Sequence, residues 1–164
     1  MIKGKEKSFC KKINVIIDVI SAILMIIMIA GTFLIWKNAP DIVPTHFNFK
    51  GEVDNYGSKD TIFLLLIIAA VCYGGMAVLS KYPQIYNYCV EITSRNKEKQ
   101  YLMAQTFIKL LNLETVIILL YIQLKSGTMM INGSENLSIV FLPITLIVLT
   151  ATIVIYIWQS RKNK

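Results

Sequence analysis

An all-α integral membrane bundle of four transmembrane helices, with a structured loop between the first two, is the fold this sequence predicts. Three observations carry the prediction. The 164 residues are 55% hydrophobic and only 16% charged, with a mean hydropathy of +0.57, too apolar for an ordinary soluble domain. Four apolar runs, at 13–36, 61–80, 101–124 and 137–158, match the ~20 residues that a hydrocarbon core selects for. The basic residues are partitioned between alternate connections. Twelve lie before the first run, between the second and third, or after the fourth; only Lys37, Lys50, Lys59 and Lys125 lie in the other two connections. The positive-inside rule then places both termini in the cytoplasm and the 37–60 loop outside. The whole chain, 1–164, reads as one membrane domain without repeats or low-complexity segments.

The N-terminal stretch, with Lys3, Lys5, Lys7, Lys11 and Lys12, is a basic flank to the first run. That run is too long for the ~7–15-residue core of a cleaved signal peptide, and Ala30-Gly31-Thr32-Phe33 is a poor cleavage site, so it reads as a retained anchor. Asp18 sits near its cytoplasmic end. Trp36 and Tyr121 fall at the outer interface and Tyr82, Tyr101, Tyr156 and Trp158 at the inner one, the positions expected of aromatic anchors.

The insert at 38–59 is the one long polar stretch between spans. Pro40 and Pro44 hold their predecessors extended. Thr45, Phe47 and Phe49 alternate with His46 and Asn48 as in a strand. Gly51 and the run Asp54-Asn55-Tyr56-Gly57 are turn chemistry, and Ser58 or Asp60 can cap the next helix. A compact lid with a small hairpin follows. His46, Glu52 and Asp54, with Asp41, contain the ingredients of acid–base chemistry or a divalent-metal site, but a lone histidine falls short of the usual three-ligand catalytic zinc set. Satisfying the backbone of a tight polar loop is the blander use of the same groups. No catalytic set, metal site or cofactor is assigned.

In the second run Gly74-Gly75 would permit close helix approach, and Pro143 near the start of the fourth is tolerable in a bundle. The connection between the second and third runs alternates weakly from Ile85 to Ile92 and suits a membrane-surface piece. On the third run Gln105, Lys109 and Asn112 form one polar stripe, while Glu114 lies about 200° around from Asn112 and must face another neighbour, at the depth of Thr145. Asp18 and Lys109 lie at similar depth and are natural partners, either as a register-fixing pair or as part of an ion relay. The short 126–136 connection contains Asn-Gly-Ser and Asn-Leu-Ser. Cys10, Cys72 and Cys89 imply neither a disulfide framework nor a metal site. The net charge of +7 is the topology signal itself and calls for anionic lipid rather than nucleic acid.

The run Pro-Asp-Ile-Val-Pro-Thr-His-Phe-Asn, followed by Gly-Glu-Val-Asp-Asn-Tyr-Gly-Ser-Lys, resembles the signature of a bacterial membrane family, domain of unknown function 1648. That module forms the N-terminal part of Sdp-type (sporulation-delaying protein) immunity proteins, which have further membrane helices. Tyr82-Pro83, Asn87 and the Leu-Asn-Leu-Glu of the third run are similar to them as well. The resemblance implies a multi-pass protein of the bacterial cytoplasmic membrane, of the type that protects against a secreted toxic peptide. The expected function is binding of an extracellular peptide or envelope component through Pro44, His46, Asn48, Gly51, Glu52, Asp54, Gly57, Ser58 and Lys59. A loop-borne hydrolase, or a small transporter or accessory subunit, are the alternatives. Expected partners are membrane lipids, an extracellular peptide or toxin, and a membrane protein or second copy of the chain. Asp18, Lys109, Asn112 and Glu114 are the intramembrane polar residues of interest.

Overall fold

The computed structural model describes residues 4–48, 52–132 and 138–164. The chain runs α1 (Gly4–Asn38), β1 (Ile42–Phe47), β2 (Val53–Ser58), α2 (Ile62–Leu79), α3 (Lys97–Asn132) and α4 (Phe141–Lys162). All four helices are long and apolar enough to cross a membrane, making the chain a multi-pass membrane protein.

The helices at the odd positions outrun their apolar cores. α1 and α3 have 35 and 36 residues, against the 13–36 and 101–124 expected from apolarity. At 1.5 Å per residue each is more than 50 Å long, well beyond a ~30 Å hydrocarbon layer. Hydropathy sees only the part in lipid, whereas lysine, glutamate and glutamine prolong a helix in water without penalty. α2 agrees with the expected 61–80 to within a residue or so, and α4 begins and ends about four residues later than the expected 137–158. Leu137, the expected start of that helix, lies outside the described residues, as do parts of both Asn-X-Ser sequences.

α3 is the central element and packs on each of the other helices. With one span between them, α1 and α3 run parallel, and their bonds join residues 91 or 92 apart: Lys7 to Glu98, Asn14 to Thr106, Asp18 to Lys109 and Thr32 to Gln123. The buried residues of α1 are Asn14, Ile17, Ser21, Met25, Met28, Thr32 and Ile35. Those steps of three and four average a 3.5-residue period, the repeat of left-handed coiled-coil packing. Small and polar residues occupy much of the seam because lipid gives apolar residues no reason to prefer the helix interface.

Close approach occurs at Gly127, where a Cβ would lie 2.6 Å from Ile35 Cγ1. Gly127 was expected in a loop; it is buried within α3. Gly74 and Gly75, expected to allow helix contact, have nothing within 4 Å of a Cβ built on either. That expectation is corrected. The apolar run gave Gly74 and Gly75 no face, and they fall on one that the described residues leave open.

At one end of the bundle Ile35, Ala39, Val43, Ile62 and Met130 form a small core, joined by Phe63. It fastens the hairpin to α1, α2 and α3. The start of α1 and the end of α4 lie at the opposite end.

Candidate functional site

The loop expected at 37–60 is a two-stranded antiparallel sheet, so the fold is helical with a β-hairpin rather than purely α. Ile42 faces Ser58, Val43 faces Gly57, and Pro44 faces Tyr56. The register then shifts twice, between Pro44 and His46 and between His46 and Phe47, so that Thr45 and Asp54 have no direct opposite. Such bulges re-aim side chains and strengthen twist. They interrupt the simple alternation expected from Thr45 onward; Phe49, the last residue of that pattern, lies outside the described residues. Gly57 packs closely on the opposite strand: a Cβ there would sit 3.1 Å from Thr45 Cγ2, so Thr45 would have to shift by a few tenths of an ångström to admit one.

Most of the expected site residues are polar partners of one another. His46 Nδ1 lies 2.6 Å from Asp54 Oδ1, across the second register shift. Asn48 and Glu52 close the tip reciprocally: Asn48 Nδ2 donates to Glu52 Oε2 at 2.9 Å, Glu52 N donates to Asn48 Oδ1 at 3.1 Å, and Asn48 N donates to the Glu52 carbonyl at 2.9 Å. Gly51 lies outside the described residues. Ser58 Oγ accepts from Asp60 N at 3.2 Å, capping the short 3-10 turn Lys59–Thr61 that leads into α2; Thr61, the residue before α2, makes no side-chain cap. Lys59 N donates to the Asp41 carbonyl and Lys59 Nζ pairs with the Asp41 carboxylate, both at 3.0 Å. Lys59 Nζ also lies 5.4 Å from the Trp36 ring centroid, and Trp36 Nε1 donates to Asp60 Oδ1 at 2.7 Å.

The Gly57-Ser58-Lys59 end of the motif therefore clamps the outgoing strand onto the end of α1. The acid–base candidates are divided: His46 and Asp54 stay together, Glu52 turns to Asn48, and Asp41 turns to Lys59. Among the described residues no three His, Cys, Asp or Glu side chains are grouped to hold a metal ion. With Val43 turned inward and wholly buried, the outward surface carries Ile42 and Tyr56, 71% and 64% exposed.

The intramembrane polar residues serve three different helices. Lys109 binds Asp18 on α1, the expected pair. Asn112 Nδ2 donates to the Tyr73 carbonyl of α2 at 3.2 Å, so the polar stripe turns from one neighbour to the next. Glu114 faces α4, as expected from its angle, but accepts from Thr152 Oγ1 at 2.5 Å rather than from a group at the depth of Thr145. Thr145 lines an apolar cavity of about 230 Å³ beside Glu114. α3 and α4 are both displaced from the centres of their apolar runs, which brings Thr152 rather than Thr145 level with Glu114.

Sequence reasoning missed the two buried glutamines. Gln123 Nε2 donates to the Met28 carbonyl at 2.8 Å and to Thr32 Oγ1. Gln100 Nε2 donates to the carbonyls of Ser160 and Asn163, at 2.9 and 3.0 Å, while Ser160 Oγ donates back to Gln100 Oε1 at 2.8 Å. The signal was available for Gln123: with Ser126 it continues α3 toward Gly127, and on α1 Asn14, Ser21 and Thr32 share one heptad-spaced face. For Gln100 the reach to a distant helix end has no local signature.

At the end opposite the hairpin, Tyr86, Tyr88 and Tyr101 stack in series, with centroids 6.2 and 5.7 Å apart. Burial, with the neighbouring Tyr156, pushes the Tyr88 hydroxyl far above the usual phenol range and the Tyr86 hydroxyl upward as well. Both stay neutral donors, Tyr88 to the Pro83 carbonyl at 2.7 Å and Tyr86 to the Leu79 carbonyl at 2.6 Å. They pin the turn after α2.

Residues 23–70, from the middle of α1 through the hairpin into α2, match the family described as Domain of unknown function (DUF1648). No curated protein and no solved structure matches the chain. The match centres on the hairpin and its two supporting helices, the segment in which the polar groups pair with one another.

Proposed function

We propose that the hairpin is a pre-organised docking platform for an extracellular peptide or envelope component. On this reading the chain is an immunity or toxin-sensing protein of the bacterial cytoplasmic membrane, with both termini inside. The observation that carries it is the exposure of Ile42 and Tyr56 on a hairpin whose His46, Asn48, Glu52, Asp54, Ser58 and Lys59 are already bonded within the motif or to α1. Groups fixed in advance cost little further ordering on binding. A two-stranded sheet also leaves backbone donors and acceptors on its open edges, where an extended peptide can add as a third strand.

Reporter fusions after Asn48 should read outside and those after Arg95 inside. Cells carrying the chain should then survive medium conditioned by a peptide-secreting strain. Ile42→Asp or Tyr56→Ser should remove that protection at unchanged protein level, with Leu64→Ala as an unaffected control on the lipid-facing side. An inside signal at the hairpin, or full protection by both hairpin variants, would sink the proposal.

One feature favours the hydrolase alternative. Asp54 holds His46 by Nδ1, the arrangement that frees Nε2 for proton transfer. Stoichiometric metal in the purified protein, lost in His46→Gln, would move the assignment to that chemistry.

A further inference from the structure

At the end of the bundle opposite the hairpin, α1 and α4 both pack on α3 and leave a trough between them. Its mouth is a cavity of about 440 Å³ bordered by Glu6, Phe9, Lys99, Leu102, Trp158 and Lys162. Deeper in, a second cavity of about 230 Å³ runs over Phe107, Leu110, Ile155 and Tyr156. Cys10, Met103 and Gln159 line both, so the two cavities adjoin along the trough. Its position is held at one edge by the Gln100–Ser160 bonds and at its floor by the Phe107–Tyr156 stack, centroids 4.2 Å apart.

The charges at the mouth are not matched within the protein. Lys99 is partly buried yet has no ion-pair or hydrogen-bond partner among the described residues. Lys162 lies 5.0 Å from the Trp158 ring centroid and likewise has no carboxylate partner there. Glu98, the nearest acid in sequence, is taken by Lys7. Two ammonium groups against the single Glu6 carboxylate leave the mouth positive.

We infer that this trough is a specific site for one anionic phospholipid, its phosphate held by Lys99 and Lys162 and one acyl chain laid along α3 between α1 and α4. Basic pockets between helices at the membrane surface are suited to such headgroups, and each nearby lysine adds to the attraction. Trp158 stands where an indole favours the headgroup level, and Lys162 can reach the phosphate by extending along it. The trough is polar at the mouth and apolar in its depth, the same order as a lipid entering from the surface. Glu6 lowers the affinity for a second anion and favours a single phosphate over a doubly charged group.

The test is native mass spectrometry of the full chain in detergent, titrated with dioleoyl-phosphatidylglycerol or dioleoyl-phosphatidylcholine. One phosphatidylglycerol should be retained in preference to phosphatidylcholine. Lys99→Gln with Lys162→Gln should reduce that retention about tenfold or more, and Lys99→Arg with Lys162→Arg should keep it. Met103→Trp, which fills the trough where the cavities join, should also reduce retention with both lysines present. Deacylated glycerophosphoglycerol should fail to compete. Equal retention of the two lipids, or unchanged phosphatidylglycerol binding in the double glutamine variant, would overturn the site. Competition by the deacylated headgroup as strong as by the lipid would overturn the acyl part and leave a phosphate site. The glutamine substitutions lie at the bundle surface, so helical content and monodispersity should match wild type and keep the reading independent of folding.

Discussion

The α1–α3 seam and the α3–α4 contact use the same kinds of residue and hold in different ways. Along the seam, buried positions recur every three or four residues, polar bonds occur at four levels, and Gly127 brings the backbones together. On α4 only Ser160 is buried. That helix is held at separate points: Gln100 at one end, Phe107 and Thr152 midway, and Tyr121 stacked on Phe141 near its start at 4.4 Å. Between those points lie the cavities. The seam joins α1 and α3 along their length, whereas discrete fastenings leave α4 bordered by open spaces.

The sharpest way to break the seam is through its ion pair. Lys109 is the more enclosed partner, its side chain 17% exposed against 52% for Asp18, so losing the acid strands the better-buried charge. Asp18→Asn should destabilise by roughly 2–3 kcal/mol, the cost of an unpaired lysine at membrane depth, and Lys109→Met by less. The double variant should lie closer to wild type than Asp18→Asn does, because no lone charge remains. Unfolding by denaturing detergent, followed by circular dichroism, reads all three. Equal stability of Asp18→Asn and wild type would show that the pair does not hold the seam.

Gly127→Ala tests the close approach. The added methyl must displace Ile35, for which overpacking costs about 1–3 kcal/mol. The same detergent titration should show it, and Ile35→Val should recover part of the loss. If Gly127→Ala is neutral, the helices have slack there and the distinction between seam and fastening weakens.

Gln100→Leu addresses the other side of the comparison. It removes three hydrogen bonds and leaves the last carbonyls at the C-terminal end of α4 without that partner, a loss of roughly 1–3 kcal/mol. The effect should be local: hydrogen exchange should quicken near residues 156–163 and stay unchanged along α1. Faster exchange in α1 would mean that α4 is coupled to the seam after all.

Four spans, the hairpin position and the Asp18–Lys109 pair were legible in the sequence for one reason. Each depends on a contrast between polar and apolar residues along the chain or with depth. The choice of packing face was not. In lipid, Ile16 facing outward and Ile17 facing α3 look alike, since neither gains by leaving water. The motif loop reads as a ligand-binding surface because its prolines and glycines set a fixed backbone, its aromatics offer apolar contact, and His46, Glu52 and Asp54 offer polar specificity. In the folded hairpin most of its polar groups pair with one another, and Ile42 and Tyr56, which are not among the expected binding residues, form its exposed surface. Short-range spacing could suggest a hairpin, but not the two register shifts that set His46 against Asp54.

The smallest expected effect has the opposite sign. Gly74→Ala places a methyl where nothing lies within 4 Å, in the interior of α2. Glycine there gives up more backbone freedom than alanine, so the substitution should stabilise by up to about 1 kcal/mol. The same chemical change thus weakens the protein at Gly127 and strengthens it at Gly74, separating a packed glycine from an open one. Gly75→Ala should behave as Gly74→Ala does. The measurement is the detergent unfolding midpoint, taken at two protein concentrations. A loss of stability at Gly74 or Gly75 that grows with protein concentration would mean that a second copy of the chain packs against this face of α2. A loss independent of concentration would mean that α2 meets another part of its own chain there, and the contrast between the two glycines would fail.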